Sequence, residues 1–221
     1  MRNSLLILVF LCLSSLPAFS QHETDIWFFG YHAGITFQNG WRQEIQGGQT
    51  NTREGTAVIS DKTTGDLLFY TDGMTVWNNQ HRIMVNGIGL KGGVSCTQSA
   101  LIVPNPANPL QYYVFTAPDL TPGTGITALY YSIVSLELPG GKVMNKNTLL
   151  IDGVSEKLTG TMDCAGTGFW VVTHHKQRSE FYSFHITVSG IDTRPVVSTY
   201  SGEISDYTLG YMKISPSRTK L

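Results

Sequence analysis

The stretch EGTAVISDKTTGDLLFYTDGMTVWN, residues 54–78, holds short apolar runs separated by turn residues. AVIS leads into the turn DKTTGD, and the aromatic run LLFYT then passes through Asp72-Gly73 into TVW. Short β-branched and aromatic runs bounded by Gly, Asp and Thr predict strands joined by turns. Because a type I′ turn needs positive φ at both central residues, Asp72-Gly73 predicts a tight hairpin.

Three later stretches repeat this order of small residues, strand, turn and aromatic strand. They are TQSALIVPNPANPLQYYVFTAPD (97–119), EKLTGTMDCAGTGFWVVTHHKQ (156–177) and TLGYMKISPSRTKL (208–221). A period near fifty residues with several strands per unit is typical of β-propeller blades. We therefore expect an all-β protein, a β-propeller with four antiparallel strands per blade.

The two ends of the repeat array predict an incomplete propeller. DIWFFGYHAGITFQNGWRQEI, residues 25–45, reads as a blade that lacks its first strand, and Leu221 falls inside the second strand of a further blade. We expect residues 21–221 to be the N-terminal portion of a truncated propeller and to contain about four blades. The missing downstream part of the same propeller would then be a partner of this portion. The alternative is a closed four-bladed ring in which GYMKIS supplies the missing strand.

Residues 1–20 predict a secretory signal peptide. Arg2 precedes the apolar run LLILVFLCLSSL, and Ala18 and Ser20 are small residues ahead of a cleavage position near Gln21. No second apolar run is long enough to span a bilayer. Charged residues are only 14% of the chain and the formal net charge is −1, which gives no electrostatic reason to expect a nucleic-acid partner.

The four repeat motifs together, over residues 25–221, resemble the propeller-like N-terminal region of large exported proteins of the type IX secretion and gliding-motility group. The resemblance implies a WD-repeat-like fold and a role at the cell surface, linked to adhesion or gliding motility. It implies surface or extracellular delivery where the full-length protein carries a sorting domain, and a periplasmic location otherwise. It implies no particular chemistry.

Carboxylates are the first candidates for a functional site. One end of a propeller carries the turns that follow the second strands and the connections between blades. Four acidic residues fall at that end: Glu54, Asp72, Asp119 and Glu156. Glycosidases need two carboxyl groups about 5–10 Å apart, so a carbohydrate-active hydrolytic propeller is the alternative function. Asp and Glu at such positions more often cap turns, and we predict no catalytic residue and no enzyme activity.

Histidines and cysteines give no metal, cofactor or disulfide prediction. His174 and His175 are adjacent, neighbours on a strand point to opposite faces, and no other ligand lies at metal spacing, so we expect solvated turn histidines. Cys96 and Cys164 fall at opposite ends of strands ~17 Å long, beyond the reach of a disulfide, so we expect them unpaired.

The aromatic residues on the second strands predict packing between blades, because each blade must bury both of its faces. They are Trp27, Phe28, Phe29, Phe69, Tyr70, Tyr112, Tyr113, Phe115, Phe169 and Trp170. Trp77 and Trp41 lie outside that register and are candidates for surface binding.

These observations favour a non-catalytic interaction or scaffold domain of an exported surface protein that binds a protein or a surface glycan. Its binding end would be formed by the loop 117–127 and by the turns at 72–74 and 174–179. The candidate ligand-binding residues are Glu54, Asp72, Trp77, Asp119, Glu156, His174 and His175.

Overall fold

The computed structural model describes residues 22–202, 209–218 and 220–221, and every regular element in these residues is a β-strand. The predicted all-β class is confirmed. The predicted signal peptide, residues 1–20, lies outside the described residues.

In the described residues, seventeen strands follow one another in four groups. Group 1 contains β1 (Ile26–Phe29), β2 (Ala33–Thr36) and β3 (Gln43–Glu44). Group 2 contains β4 (Ala57–Ser60), β5 (Leu67–Thr71), β6 (Thr75–Asn78) and β7 (Ile83–Ile88). Group 3 contains β8 (Ala100–Pro104), β9 (Gln111–Thr116), β10 (Leu129–Ser135), β11 (Lys142–Val143) and β12 (Thr148–Ile151). Group 4 contains β13 (Val154–Met162), β14 (Phe169–His175), β15 (Glu180–Thr187), β16 (Gly190–Ile191) and β17 (Val196–Thr199).

Within each group, every strand pairing is antiparallel, as the alternating strands and turns of the sequence predict. The predicted strands AVIS, LLFYT and TVWN are present as β4, β5 and β6. One parallel bridge between Val85 and Lys142 joins β7 to β11, so groups 2 and 3 form a single nine-stranded sheet.

The outer strand is interrupted in groups 3 and 4, where one continuous strand was expected. β11 and β12 both pair with β10, and the segment between them includes Asn147 at a φ of 58°. β16 and β17 both pair with β15, and Pro195 lies in the gap between them. Proline cannot donate to a ladder, and a positive φ interrupts extended backbone, so each outer strand divides in two.

The hydrophobic core lies between successive groups. One cluster joins groups 1 and 2, a second joins groups 2 and 3, and a third joins groups 3 and 4. The pairs that represent these contacts are Phe28 with Tyr70, Phe69 with Val114, and Phe115 with Val171. The predicted packing of aromatic side chains between groups is thus present, although Trp27 and Phe29 are largely exposed.

The first strands of groups 2, 3 and 4 lie side by side, since β4 contacts β8 and β8 contacts β13. We call β4, β8 and β13 the inner strands. Residues 210–215, which contain GYMKIS, form no strand, and β2 is the only strand paired with β1 in the described part of the chain. The alternative in which GYMKIS completes group 1 is therefore wrong.

Candidate functional site

The inner strands border a cavity of about 920 Å³, which β1 closes on one side and residues 211–213 on another. Its walls are mainly apolar and include Val58, Leu101 and Leu158 from the inner strands. Polar side chains in its wall include Thr56, Thr97 and Gln98, just ahead of β4 and β8, and Thr159 within β13.

The segment 92–99, which leads into β8, is the meeting point of the predicted acidic residues. Glu156 is only 1% exposed, and its Oε2 accepts hydrogen bonds from the backbone N–H and the hydroxyl of Thr97, at 2.8 and 3.0 Å. Its Oε1 accepts the N–H of Leu120 at 3.0 Å. A group 4 carboxylate therefore holds two loops of group 3 in place.

Asp119 and Glu54 lie on either side of Ser95. Asp119 Oδ2 accepts the Ser95 N–H at 3.1 Å, and Glu54 Oε1 accepts the Ser95 hydroxyl at 3.2 Å. Burial opposes the charge on Asp119, but hydrogen bonds from Thr121 and Ser95 and the charge of Arg53 outweigh it and lower the pKa of this carboxyl.

The packing against Asp119 is close enough to exclude a side chain. A Cβ on Gly93 would lie 2.2 Å from the Cβ of Asp119, inside the van der Waals limit. The glycine at this position therefore lets segment 92–99 approach the end of β9.

Asp72 is buried at the end of β5 and stabilises the turn that it begins. Its Oδ1 accepts the N–H groups of Met74 and Thr75, each at 2.9 Å, and its backbone carbonyl accepts the Ser99 hydroxyl at 2.8 Å. Burial raises the pKa of this carboxyl despite those hydrogen bonds. Gly73 has a φ of 87° but Asp72 does not have positive φ, so the expected type I′ turn is wrong and the turn has three residues.

The four acids therefore share one end of the molecule, and segment 92–99 touches all of them. Three of them, Asp72, Asp119 and Glu156, use their oxygens to accept backbone N–H groups. Only Glu54 is exposed, with the Ser95 hydroxyl as its partner. General acid or base chemistry needs a carboxyl group that can reach a substrate, and this arrangement instead organises loops.

Cys96 is buried in the same segment, and Cys164 is exposed in the turn between β13 and β14; both are free thiols. Burial and the negative charge of Glu156 raise the pKa of the Cys96 thiol far above its usual value. A thiol in this environment stays protonated and is a poor nucleophile.

His174 and His175 lie on β14 and are buried, so the expectation of solvated turn histidines is wrong. His174 Nε2 shares a 3.0 Å hydrogen bond with the Tyr200 hydroxyl, and His175 Nδ1 accepts the N–H of Gln177 at 2.9 Å. Burial lowers the pKa of both imidazoles, and Lys157 adds to this effect at His174. Both imidazoles belong to the ordered end of group 4, because β14 continues through His175 instead of giving way to a turn there.

Trp77 is buried against Tyr70 with ring centroids 5.4 Å apart, so its interpretation as a surface-binding residue is wrong. Burial also raises the pKa of Tyr70 to about 12. Trp41 is exposed, as expected, but does not line the cavity. The aromatic side chains that do reach the cavity while remaining exposed are Trp27 and Phe29 of β1 and Tyr211.

Gln98 was not predicted, although it links the segment ahead of β8 to group 4 and to Met212. Its Oε1 accepts the N–H groups of Leu158 and Met212, at 3.1 and 2.8 Å, and its Nε2 donates to the Met212 carbonyl at 3.0 Å. The available signal was its place just ahead of the inner strand β8, which matches that of Glu54 ahead of β4. A search for acids alone misses an amide in that position.

Residues 22–202, 209–218 and 220–221 contain no cluster of His, Cys, Asp and Glu arranged to hold a metal ion. Among the same residues there is no helix of the length and hydropathy needed to cross a membrane. No family model, curated protein or solved structure matches this chain. The inference of function therefore depends on the geometry described above.

Proposed function

We propose that this chain is a non-catalytic interaction module built as a β-propeller of about four blades, each group of strands being one blade. Supporting observations are the succession of antiparallel groups, the cores between consecutive groups, and the contacts of β4 with β8 and of β8 with β13. Propeller blades pack face to face around a central channel in the same manner.

The non-catalytic assignment depends on one observation, which is what the acidic side chains bind. Asp72, Asp119 and Glu156 are each committed to backbone N–H groups, and each is buried. Buried carboxylates that satisfy backbone donors maintain loop structure, and they cannot approach a substrate without giving up those bonds. What remains accessible at this end is a scaffold of ordered loops suited to binding.

The proposed setting is the cell surface. Residues 1–20 would direct export, and the resemblance to exported type IX secretion and gliding-motility proteins favours a role in adhesion or motility. The proposed partner is a protein or a surface glycan. Without a sorting domain in the full-length protein, the location would be periplasmic.

Two measurements on the purified mature chain test this proposal. We expect no turnover of a panel of aryl glycosides and oligosaccharides, and saturable binding to at least one immobilised surface glycan or surface protein. Hydrolysis above the rate of a heat-denatured sample would contradict the proposal. A chain that neither turns over substrate nor binds any member of the panel would also count against it.

The alternative is a carbohydrate-active hydrolase, and one observation favours it: Glu54 and Asp119 carry carboxyl groups on both sides of Ser95. In that case, Glu54→Gln and Asp119→Asn would each abolish hydrolysis. Asp61→Asn is the matched control, because Asp61 lies in the turn between β4 and β5 at the opposite end of the inner strand. Equal activity in all three variants would exclude this alternative.

A further inference from the structure

Groups 2 and 3 are joined at their outer strands. Val85 of β7 forms the parallel bridge with Lys142 of β11. The neighbouring residues Met84 and Val143 are buried in the core cluster that lies between these two groups. Because successive side chains of a strand point to opposite faces of its sheet, Val85 and Lys142 point away from that core. The two groups fold toward each other on the core side, so the opposite side of the join is convex.

Three apolar side chains of β7 are exposed on this convex side. Ile83, Val85 and Ile88 are 50%, 72% and 61% exposed. Ile83 is opposite Trp77 and Ile88 is opposite Thr75. These two partners share one face of β6, because one residue separates them, and Val85 follows Ile83 by two residues on the same face. β7 therefore presents aliphatic side chains to solvent along its whole length.

Positive charge accompanies this apolar strand. The cationic residues on either side of β7 and on the neighbouring segment that contains β11 are Arg82, Lys91, Lys142 and Lys146. The Lys146 ammonium donates to the Ile88 carbonyl at 2.7 Å and to Asn86 Oδ1 at 2.9 Å, so it lies against β7. In the described part of the chain, none of the four is within 4.0 Å of a carboxylate oxygen. The charge of Glu137 reaches Lys142, but two side-chain amides hold that carboxylate.

The three aliphatic side chains and the four cations, together called the rim strip, match a lipid surface better than a protein. The rim strip is convex, which suits a flat surface. It contains no aromatic side chain and three of its four cations are lysines, whereas protein interfaces are enriched in aromatic residues and depleted in lysine. Lysine and arginine extend apolar stems while their charges stay in a polar layer. Aliphatic side chains between cations are therefore suited to a bilayer that carries anionic headgroups.

We propose that the rim strip binds the surface of an anionic lipid bilayer. Ile83, Val85 and Ile88 enter the boundary between headgroups and acyl chains, and the four cations contact the lipid phosphates. Electrostatic attraction brings the chain to the surface, and burial of apolar area holds it there. This inference goes beyond the proposed interaction function, because the rim strip contains no residue of segment 92–99 or of the acids that bind it.

Vesicle sedimentation with the purified mature chain tests the site. The probe is vesicles of phosphatidylcholine with about 30% phosphatidylglycerol, compared with vesicles of phosphatidylcholine alone. We expect binding to the anionic vesicles that weakens as the salt concentration rises, and little binding to the neutral vesicles. No binding to the anionic vesicles, or equal binding to both kinds, would overturn the proposal.

A matched pair of valines tests the apolar part of the rim strip. Val85→Ser should weaken binding to the anionic vesicles about 5-fold, because it removes an exposed apolar side chain from the contact. Val188→Ser is the control, since Val188 is 67% exposed but lies between β15 and β16 in group 4. The control should bind as the wild type does. Equal losses in the two variants would contradict this location.

A matched pair of double variants tests the cations. Arg82→Gln combined with Lys142→Gln should weaken binding about 10-fold, because each change removes an attraction to the anionic surface. Lys62→Gln combined with Lys176→Gln removes the same charge from the residues that follow β4 and β14, and it should leave binding unchanged. Lys146 is kept in both, since its ammonium is bonded to β7. Equal losses would mean attraction by net charge alone and would overturn the site.

Three further outcomes separate the possible occupants and the two proposals. If light scattering gives a dimer that Val85→Ser dissociates, a second copy covers the rim strip and the lipid inference is wrong. If the chain binds a surface glycan or protein but no vesicle, the lipid inference is wrong and the interaction function stands. Vesicle binding together with turnover of a glycoside would remove the interaction function and support the rim strip.

Discussion

Groups 1 and 3 are built from the same succession of antiparallel strands, but group 3 has a neighbour on each side and group 1 has one. In group 3, β9 is paired on both edges, and the segment that leads into β8 accepts contacts from Glu54 on one side and Glu156 on the other. In group 1, β1 pairs with β2 alone among the described strands, and two of its aromatic side chains are exposed. Order in this molecule therefore comes from contacts between neighbouring groups.

The largest expected effect on stability comes from substitutions on the two faces of β1. Phe28 is almost fully buried against Tyr70, so Phe28→Ala should lower the free energy of unfolding by about 3–5 kcal/mol. Trp27→Ala, one residue away, should cost less than about 1 kcal/mol because its side chain is half exposed. Urea unfolding of the two variants measures both values. Similar losses would show that group 1 is covered on both faces.

The next effect concerns the two acids that flank group 3. Glu156→Ala leaves the part-buried N–H groups of Thr97 and Leu120 without the acceptor that they share, so it should cost about 3 kcal/mol. Glu54→Ala is the matched control: it removes one hydrogen bond from an exposed side chain and should cost about 0.5 kcal/mol. Thermal melts of both variants at one pH provide the comparison. A larger loss of stability in Glu54→Ala than in Glu156→Ala would contradict the assignment of Glu156 as the acid that holds the loops of group 3.

A smaller effect on stability depends on pH and differs between Asp72 in group 2 and Asp119 in group 3. The raised pKa of Asp72 means that its contribution to stability is fully present below the unfolded value of 3.8 and is lost as pH rises through the folded pKa. Asp72→Asn should therefore be at least as stable as the wild type at pH 7 and should lose that advantage as the pH falls.

For Asp119, the change of stability with pH has the opposite sign. Its lowered pKa gives stability that is present above 3.8 and is lost as pH falls through the folded pKa. Asp119→Asn should be about 1 kcal/mol less stable than the wild type at pH 7, with a smaller deficit near pH 3. Denaturant midpoints between pH 3 and 7 test both variants, and parallel pH curves for the two would contradict the different environments of these carboxyls.

The sequence was sufficient to predict the strands because apolar alternation and turn residues act locally. AVIS, LLFYT and TVWN were found as β4, β5 and β6, and the three strands of group 1 were found without an inner strand. The interruption of the outer strands was missed, since it depends on local backbone conformation at Asn147 and near Pro195.

The candidate site was predicted only as a set of positions at one end. Glu54, Asp119 and Glu156 do converge on segment 92–99, yet whether a carboxylate is free or capped depends on contacts between residues up to 59 positions apart. The sequence placed Trp77, His174 and His175 on the surface, because the packing that buries these side chains leaves no local signal.

Residue-resolved amide exchange of the mature protein tests most directly whether neighbours determine order. In β9, the amides of Tyr113, Val114 and Phe115 should all be protected, because strands pair on both edges. In β1, the amides of Trp27 and Phe29 should be protected by pairing with β2, while those of Ile26 and Phe28, which point away from β2, should exchange faster. Uniform slow exchange along β1 would contradict the account.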